Sequence, residues 1–359
     1  MIYLDYQATT PLAPEARAAM LPWLAGTEAD GFANPHSPHR AGRAAAAAVE
    51  VAREQVAALL PRGGRVVFTS GATEALNLAI IGSGARRLAV SAIEHAAVLD
   101  TARFVDPCCA VLPVDEAGLV DPDTDIPQGT GLVAVMQVNN EIGTVQQVAQ
   151  LAQRARQAGA LFLCDAVQGA GKIAPPEGAD LIALSAHKLY GPKGIGALWV
   201  RDGVDLQPLI HGGGQEGGLR SGTLSPALCA GFGAAAALCT RLRASDADHV
   251  DRLWEKARAL FAGWTLNGSA TQRWHGNLNL RREGLDVGRL LSECRSIAFS
   301  AGSACASGSG RPSHVLRALG LSDREAKTAI RIGFGRYTRD EELEQAAAII
   351  EAAARLQGV

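Results

Sequence analysis

The sequence lacks the features that are typical of membrane, nucleic-acid-binding and metal-binding proteins. No apolar run approaches the roughly 20 residues of a membrane-spanning helix, and the first residues show neither the basic nor the apolar region of a signal peptide. The net charge of −2 gives no attraction to nucleic acids or anionic membranes. The seven cysteines include no Cys-x-x-Cys pair, so we expect no metal site from this chain alone. Free thiols indicate a reducing compartment, and we expect a cytoplasmic protein.

Lysine is also scarce, because only five of the 34 basic residues are lysines. Lys188 follows the apolar run 181–184, a predicted buried strand, and would lie at its carboxyl end, where open α/β sheets bind ligands. A desolvated lysine can lose its proton and form a Schiff base, whereas arginine holds its proton too tightly. We therefore predict that Lys188 contacts a cofactor. The alternative, a surface lysine in a Gly/Pro turn, is the one we favour for Lys193.

Between residues 66 and 200, short apolar segments alternate with helical patterns. The segments predicted as strands are 65–69, 87–92, 132–138, 161–164 and 181–185. Apolar strands separated by helices, notably 73–81 and 145–158, indicate a largely parallel sheet with helices on both faces. Segment 195–200 follows a turn too tight for a crossover helix, so we predict that it runs antiparallel. Residues 38–60 are predicted to form a long helix.

The pattern changes after Gly212-Gly213-Gly214. An Ala-rich helix at 225–243 is predicted to lead into a second domain that mixes helices with short strands. Its predicted helices are 246–262, 286–294, 323–330 and 339–356, and its predicted strands are 277–280, 297–301 and 331–334. We therefore predict an α/β protein with a large domain at 16–240 and a smaller α+β domain at 241–359. The N-terminal segment 1–15 is predicted to contribute to the small domain and the active site.

Three further motifs place polar groups at the carboxyl ends of predicted strands. Gly71-Ala72-Thr73-Glu74 opens a helix, where exposed N–H groups and the helix dipole would favour a phosphate; the alternative is an ordinary helix start capped by Thr73. Asp165 could keep a pyridinium nitrogen protonated, or it could cap a turn. His95 could stack on a cofactor ring and move protons, or it could be structural.

Two other positions are candidates for binding a substrate. Asn139 and Asn140 follow a strong strand pattern, and paired amides at a strand end favour contact with a ligand, since buried amides need partners. Arg331 lies in a strand-like segment, and facing inward it would bind a carboxylate through two hydrogen bonds. Taken alone, this position favours a surface arginine over an inward-facing one.

Residues 300–310 consist of glycine, alanine and serine apart from one residue, Cys305. Such a composition cannot form a packed core, so we expect a mobile surface loop that makes the thiol accessible. A linker with an incidental cysteine is the alternative, but it conflicts with the tendency of cysteine to be buried.

Together these motifs resemble those of the cysteine desulfurases, which are enzymes of the class V aminotransferase group that use pyridoxal 5′-phosphate (PLP). The resemblance runs nearly from end to end. Its motifs are YLDYQATTP at 3–11, NPHS at 34–37, TSGATE at 69–74, EH at 94–95, NNEIG at 139–143, DAVQ at 165–168, SAHK at 185–188, RSGT at 220–223 and the Cys305 loop. It implies PLP fold type I, with a large domain built on a mostly parallel, seven-stranded-type sheet covered by helices and a smaller α+β domain.

The resemblance also implies roles for individual residues. Lys188 matches the lysine that binds PLP, His95 matches the histidine that stacks on its ring and handles protons, and Cys305 matches the nucleophile that takes the sulfur. Further matches to cofactor-binding residues, which contact the ring or the phosphate, are Asp165 at the pyridine nitrogen, Gln168 at the ring hydroxyl, and Ala72, Thr73, Ser185 and His187 at the phosphate. Thr223 matches a residue that reaches the phosphate of the partner subunit in a homodimer. Asn140 and Arg331 match the groups that bind the substrate carboxylate.

The implied activity is conversion of L-cysteine to L-alanine, with transfer of the sulfur to Cys305 as a persulfide. Such persulfides supply iron–sulfur cluster assembly or other sulfur-transfer pathways, so a sulfur-acceptor or scaffold protein is an expected partner. Alternatives with the same fold are a selenocysteine lyase or a class V aminotransferase, neither of which needs Cys305. A cofactor-free interaction protein is the alternative from another class. Gly217 stands where many relatives have arginine.

Overall fold

The computed structural model describes residues 1–26, 29–302 and 312–359. Cys305 lies outside the described residues, as does most of the loop predicted at 300–310. The expectation of a mobile loop therefore stays a prediction.

The described residues contain thirteen β-strands and ten α-helices. The strands are β1 (Ile2–Tyr3), β2 (Gly64–Thr69), β3 (Leu88–Ser91), β4 (Ala110–Leu112), β5 (Leu132–Ala134), β6 (Leu161–Asp165), β7 (Leu181–Ser185), β8 (Gly196–Arg201), β9 (Thr265–Leu266), β10 (Asn277–Arg281), β11 (Ile297–Ala298), β12 (Ser300–Ala301) and β13 (Ala329–Gly333). The helices are α1 (Pro14–Met20), α2 (Arg40–Ala57), α3 (Ala72–Gly82), α4 (Ala96–Val105), α5 (Val148–Gln157), α6 (Pro226–Leu260), α7 (Val287–Glu293), α8 (His314–Ala318), α9 (Asp323–Ala326) and α10 (Asp340–Arg355).

The central sheet has seven strands in the order β2-β8-β7-β6-β5-β3-β4. Strands β3 to β7 pair in parallel, and β8 runs antiparallel to both of its neighbours. The predicted mostly parallel sheet and the predicted antiparallel segment at 195–200 are therefore confirmed. Because successive parallel strands point the same way, the loops that follow them meet along one edge of the sheet.

Helices cover both faces of this sheet, as the apolar strand pattern predicts. In β7 the alternating side chains separate, so that Leu181 and Ala183 pack on the side of α3 and α4. Ile182 and Leu184 pack on the other side, in the cluster that includes residues of α2, α5 and α6. A strand buried on both faces has no polar face, which explains the continuous apolar run in its sequence.

Several elements differ from the sequence-based expectations. The predicted break between 243 and 246 is wrong, because α6 continues through it; Asp246 remains in the helix and its carboxylate pairs with the Arg336 guanidinium at 2.7 Å. The predicted strand 297–301 is divided between β11 and β12, which belong to different sheets. The predicted helix 323–330 ends at Ala326. Helices α1, α4 and α8 and the edge strand β4 were not predicted.

The second part of the chain is built around a four-stranded antiparallel sheet with the order β12-β13-β10-β9. The N-terminal strand β1 pairs in parallel with β11, and Asp5 forms a bridge with Gly333 of β13. The first residues of the chain thus lie against this second part. The domain limits predicted at 15 and 240 stay a prediction, since α6 runs across residue 240 without interruption.

Within residues 1–26, 29–302 and 312–359, no helix combines the length and the apolarity that crossing a membrane would require.

Candidate active site

A cavity of about 470 Å³ lies at the carboxyl edge of the central sheet. Ten of the residues predicted from the sequence as site residues line it: Ala72, Thr73, His95, Asn140, Asp165, Gln168, Ser185, His187, Lys188 and Arg331. Met136 and Val167 also line the cavity and were not predicted as site residues, whereas Gln7 and Ala8 belong to segment 1–15, which was predicted to contribute to the active site. Lys193, predicted in a surface turn, is exposed and also lines the cavity.

Lys188 lies in a short helical turn, Ala186–Lys188, directly after β7. Its ammonium group donates hydrogen bonds to the backbone carbonyls of Gln7 and Ala8, the second over 2.8 Å. The N-terminal segment therefore fixes the position of the amine in the cavity. The sequence around Lys188 does not predict this contact, because Gln7 and Ala8 lie about 180 residues away in the chain.

Asp165 ends β6 and is 6% exposed. Burial raises the pKa of its carboxyl, and the backbone N–H of Val167, which donates to Oδ1 over 2.9 Å, together with the charges of His95 and Lys188, opposes that shift. A further cation against this carboxyl would stabilise its charged form. The site is thus suited to a ligand with a protonated ring nitrogen.

His95 is the N-cap residue of α4. Its Nδ1 accepts a hydrogen bond from the backbone N–H of Ala97 over 3.1 Å, so Nδ1 carries no proton in this arrangement. The neutral ring therefore carries its proton on Nε2, and the helix start fixes the tautomer. A histidine held in this way can exchange a proton at one defined nitrogen.

The N-terminus of α3 lies in one corner of the cavity. Its N-cap, Gly71, has an extended backbone and no side chain that could cap the first N–H groups of the helix. Ser185 and His187 line the same cavity. Burial, followed by the charges of Lys188 and Lys193, lowers the pKa of His187 to about 4, so this imidazole is neutral at physiological pH. Uncapped N–H groups at a helix start favour a phosphate.

Gly196 allows this corner to form, because the backbone of Gly71 lies directly against β8. A Cβ at position 196 would approach the Gly71 carbonyl carbon and the Leu184 carbonyl oxygen to 2.6 Å each. We therefore expect Gly196→Ala to displace the start of α3 and to weaken PLP binding by roughly tenfold or more.

Equilibrium dialysis of PLP against the purified variant would measure the change in affinity. Gly263→Ala is the matched control, because a Cβ at position 263 meets no atom within 4 Å. Equal affinity in the Gly196 and Gly263 variants would show that the close contact does not shape the corner.

The two neighbouring amides have different environments. Asn139 is fully buried, its Oδ1 accepts from the backbone N–H groups of Glu141 and Ile142, and its Nδ2 donates to the Ile93 carbonyl over 2.9 Å. Asn139 therefore holds the turn together. Asn140 lines the cavity.

Arg331 lies in β13 with its side chain 1% exposed. Its Nη1 donates to the Asn140 carbonyl over 3.0 Å, and its Nη2 forms an ion pair with Asp5 at 2.8 Å. Its buried Nε has no hydrogen-bond partner among the described residues. The sequence left open a surface arginine, and the structure places this one in the cavity wall.

Gln168 connects the cavity to a lysine that the sequence analysis did not assign to the site. The Gln168 Nε2 donates to the Gln7 carbonyl over 3.0 Å, and the Lys172 ammonium lies 3.5 Å from Gln168 Oε1. Burial, with a contribution from the charge of Lys188, lowers the pKa of Lys172 to about 7. These contacts fix which end of the Gln168 amide faces each neighbour.

Thr223 is the one predicted cofactor-binding residue that does not line the cavity in the described part of the chain. It is exposed. The nearby Arg220 forms an ion pair with Glu74 of α3 at 2.7 Å, which holds this segment beside the first turn of α3. Gly217, three residues before Arg220, is exposed with a φ of 64°.

Comparison with known proteins identifies the family of this fold. The family model for aminotransferase class-V matches residues 2–346. The chain is 42% identical to "Cysteine desulfurase IscS" of Rickettsia africae, over 97% of this chain and 90% of that protein. It is 43% identical to "Cysteine desulfurase, mitosomal" of Encephalitozoon cuniculi, over 96% of this chain and 84% of that protein. A solved "NIFS-LIKE PROTEIN" superimposes with a TM-score of 0.89 at 30% identity, covering 99% of both chains. The predicted fold class is confirmed.

Proposed function

The chain belongs to the class V aminotransferase family, and we propose that it is a PLP-dependent cysteine desulfurase. It converts L-cysteine to L-alanine and passes the sulfur to Cys305 as a persulfide. The observation that carries this proposal is one cavity lined by an amine, a buried carboxyl and an uncapped helix start, contributed by Lys188, Asp165 and α3.

The residues of the cavity fit PLP. Its volume of about 470 Å³ is within the range of roughly 300–1,000 Å³ typical of small-molecule sites. Each chemical group of PLP has a suitable partner, because the Lys188 amine suits an aldehyde, the Asp165 carboxyl suits a pyridine nitrogen, and the N-terminus of α3 suits a phosphate. PLP, when bound, supplies an electron sink for negative charge at the substrate carbon.

The residues around the cofactor hold it and move protons. The carbonyls of Gln7 and Ala8 hold the Lys188 amine in position. The Asp165 carboxylate keeps the ring nitrogen protonated, which increases its electron-withdrawing effect. His95 gives and takes a proton at Nε2, since its Nδ1 is engaged by the Ala97 N–H.

The substrate carboxylate is bound by Arg331 and Asn140. The Arg331 guanidinium is almost fully buried, so its charge acts in a poorly solvated wall. Two of its nitrogens already hold Asp5 and the Asn140 carbonyl, which fixes the plane of the guanidinium. A fixed guanidinium binds a carboxylate with defined geometry.

Cys305 accepts the sulfur. Its thiolate forms an S–S bond with the sulfur of L-cysteine while the substrate C–S bond breaks. The electron pair of that bond remains on the carbon, which becomes the methyl group of L-alanine after protonation. The persulfide then passes its terminal sulfur to an acceptor or scaffold protein, for iron–sulfur cluster assembly or another sulfur-transfer pathway. The enzyme is cytoplasmic, since a reactive thiol is kept reduced in that compartment.

The active enzyme is a homodimer in which Thr223 contacts the phosphate bound by the partner subunit. The support is that Thr223 is exposed while Arg220, on the same segment, pairs with α3. Light scattering of the PLP-loaded protein at micromolar concentration should give twice the mass of one chain.

The activity is tested by incubating the PLP-loaded protein with L-cysteine and a thiol reductant. The expected products are L-alanine and sulfide in equal amounts, with no product when PLP is omitted. Formation of pyruvate, or transamination of L-cysteine with an oxo acid and no sulfide, would contradict the proposal.

A further inference from the structure

The chain on either side of Cys305 is tied down at two described residues, Gly302 and Ser313. The Gly302 N–H donates to the Ala329 carbonyl over 2.7 Å, and its carbonyl accepts from Asn279 Nδ2 over 3.3 Å. Ser313 is 3% exposed, and its hydroxyl donates to Glu141 Oε2 over 2.5 Å. Both contacts lead to the same buried polar cluster.

Glu141 is the centre of that cluster. It is 3% exposed. Among the described residues, its carboxyl group accepts a hydrogen bond from the Ser313 hydroxyl. Its backbone N–H donates to Asn139 Oδ1 over 2.8 Å. Burial raises the pKa of Glu141 to about 7, and the Ser313 hydrogen bond opposes the rise, as it would if the hydroxyl stabilised the charged form.

Asn279 of β10 completes the connection. It is fully buried, and its Nδ2 donates both to the Glu141 carbonyl over 3.0 Å and to the Gly302 carbonyl over 3.3 Å. Its Oδ1 accepts from Asn267 Nδ2 over 2.7 Å, which fixes the orientation of the amide. The Asn279 amide therefore links the turn at Glu141 to Gly302, the last described residue before Cys305.

This cluster is directly joined to the substrate-binding wall. Asn140, which precedes Glu141, accepts the Arg331 Nη1 hydrogen bond at its carbonyl. The same turn thus carries Asn140, one of the two residues proposed to bind the substrate carboxylate, and Glu141, whose carboxyl group holds Ser313. A thiol tethered at fixed points reaches a bound substrate at a high effective concentration.

We propose that Glu141, acting through Ser313 and together with Asn279, is a positioning residue that sets where the two flanks of Cys305 lie relative to the bound cysteine. This inference rests on the proposed desulfurase function. It predicts that breaking the cluster slows sulfur transfer to Cys305 without weakening the binding of L-cysteine.

The test uses the full, PLP-loaded chain carrying Glu141→Ala. We expect single-turnover persulfide formation on Cys305, followed by rapid quenching and mass spectrometry, to slow by roughly tenfold, as the loss of one buried hydrogen bond allows. The dissociation constant of L-cysteine, measured from the cofactor absorbance, should change by less than about twofold. Glu141→Gln keeps an oxygen that accepts the Ser313 hydroxyl, so it should restore most of the rate.

The chain contains a closely matched control pair. Ser322 and Glu325 also form a serine–glutamate hydrogen bond at a helix start, over 2.6 Å, but both residues are exposed and far along the chain from Asn140. Glu325→Ala should therefore leave the rate of persulfide formation unchanged. Ser313→Ala and Ser322→Ala form a second comparison, which tests the positioning role if Glu141→Ala does not fold. Ser313→Ala should slow persulfide formation on Cys305, and Ser322→Ala should not.

Hydrogen–deuterium exchange supplies a direct structural readout. The Leu316 N–H donates to the Ser313 hydroxyl over 3.1 Å. The N–H groups of Gly302 and Leu316 should exchange faster in the Glu141→Ala and Ser313→Ala variants than in the control variants. Unchanged rates of persulfide formation in both, with a wild type that does form the persulfide, would overturn the positioning role alone. A wild type that forms no persulfide on Cys305 would overturn the proposed function, and the positioning role with it.

Discussion

Replacing Lys188 with alanine is expected to abolish covalent retention of PLP and to reduce L-alanine formation on the order of 10³-fold or more. The amine of Lys188 lines the cavity and is held by the carbonyls of Gln7 and Ala8. Alanine removes the nucleophile that reacts with the aldehyde, while the phosphate corner at α3 remains. PLP should therefore still bind, but reversibly.

Borohydride reduction followed by peptide mass spectrometry measures the covalent link. In the wild type, PLP should be fixed on the peptide that contains Lys188, and in the variant no peptide should carry it. Lys188→Arg should behave like the alanine variant, because arginine keeps the charge but holds its proton too tightly to act as a nucleophile. Lys327→Ala, at an exposed position, should behave like the wild type. PLP fixed on another lysine would contradict the assignment.

Replacing Cys305 with alanine should abolish sulfur transfer while leaving PLP and L-cysteine binding intact. The cofactor-binding residues proposed here are elsewhere in the chain, so the absorbance change on adding L-cysteine should persist. Release of sulfide should fall on the order of 10³-fold, as is expected when a nucleophile is removed.

Cys108 supplies the control for this variant, since it is an exposed free cysteine outside the cavity. Cys108→Ala should retain wild-type activity. A Cys305→Ala variant that releases sulfide from L-cysteine at an undiminished rate would favour a selenocysteine lyase or another class V enzyme over a cysteine desulfurase.

The edge of the sheet that carries the cavity could be predicted because its strands have simple patterns. The apolar run of β7 is buried on both faces, so its end and the position of Lys188 were readable from the sequence. The ends at Asp165 and His95 were readable for the same reason, and all three residues line one cavity. Parallel strands bring their carboxyl ends together whatever their separation in sequence.

Contacts between distant segments could not be predicted in this way. The carbonyls that hold Lys188 come from residues 7 and 8, and a backbone carbonyl has no sequence signature. Gly196 has the sequence context of an ordinary strand glycine, and only the structure shows the backbone of Gly71 against it. The sequence pattern predicts a new helix from Asp246, whereas in the fold α6 continues through this residue and its charge is paired with Arg336.

The Glu141 cluster was also not predictable from the motif in which it lies. In the motif NNEIG, both asparagines were predicted to contact a ligand, but the side chain of Asn139 instead holds the turn together. The carboxyl partner of Glu141 is Ser313, 172 residues later in the chain. Only the fold shows that a residue beside Asn140 also holds the flanks of Cys305.

The most direct test of this account is mass spectrometry of the PLP-loaded protein after one equivalent of L-cysteine labelled with heavy sulfur. We expect the peptide containing Cys305 to gain one labelled sulfur atom and L-alanine to form in the same amount. L-Alanine formed without labelled sulfur on Cys305, or labelled sulfur on Cys108 instead, would contradict it.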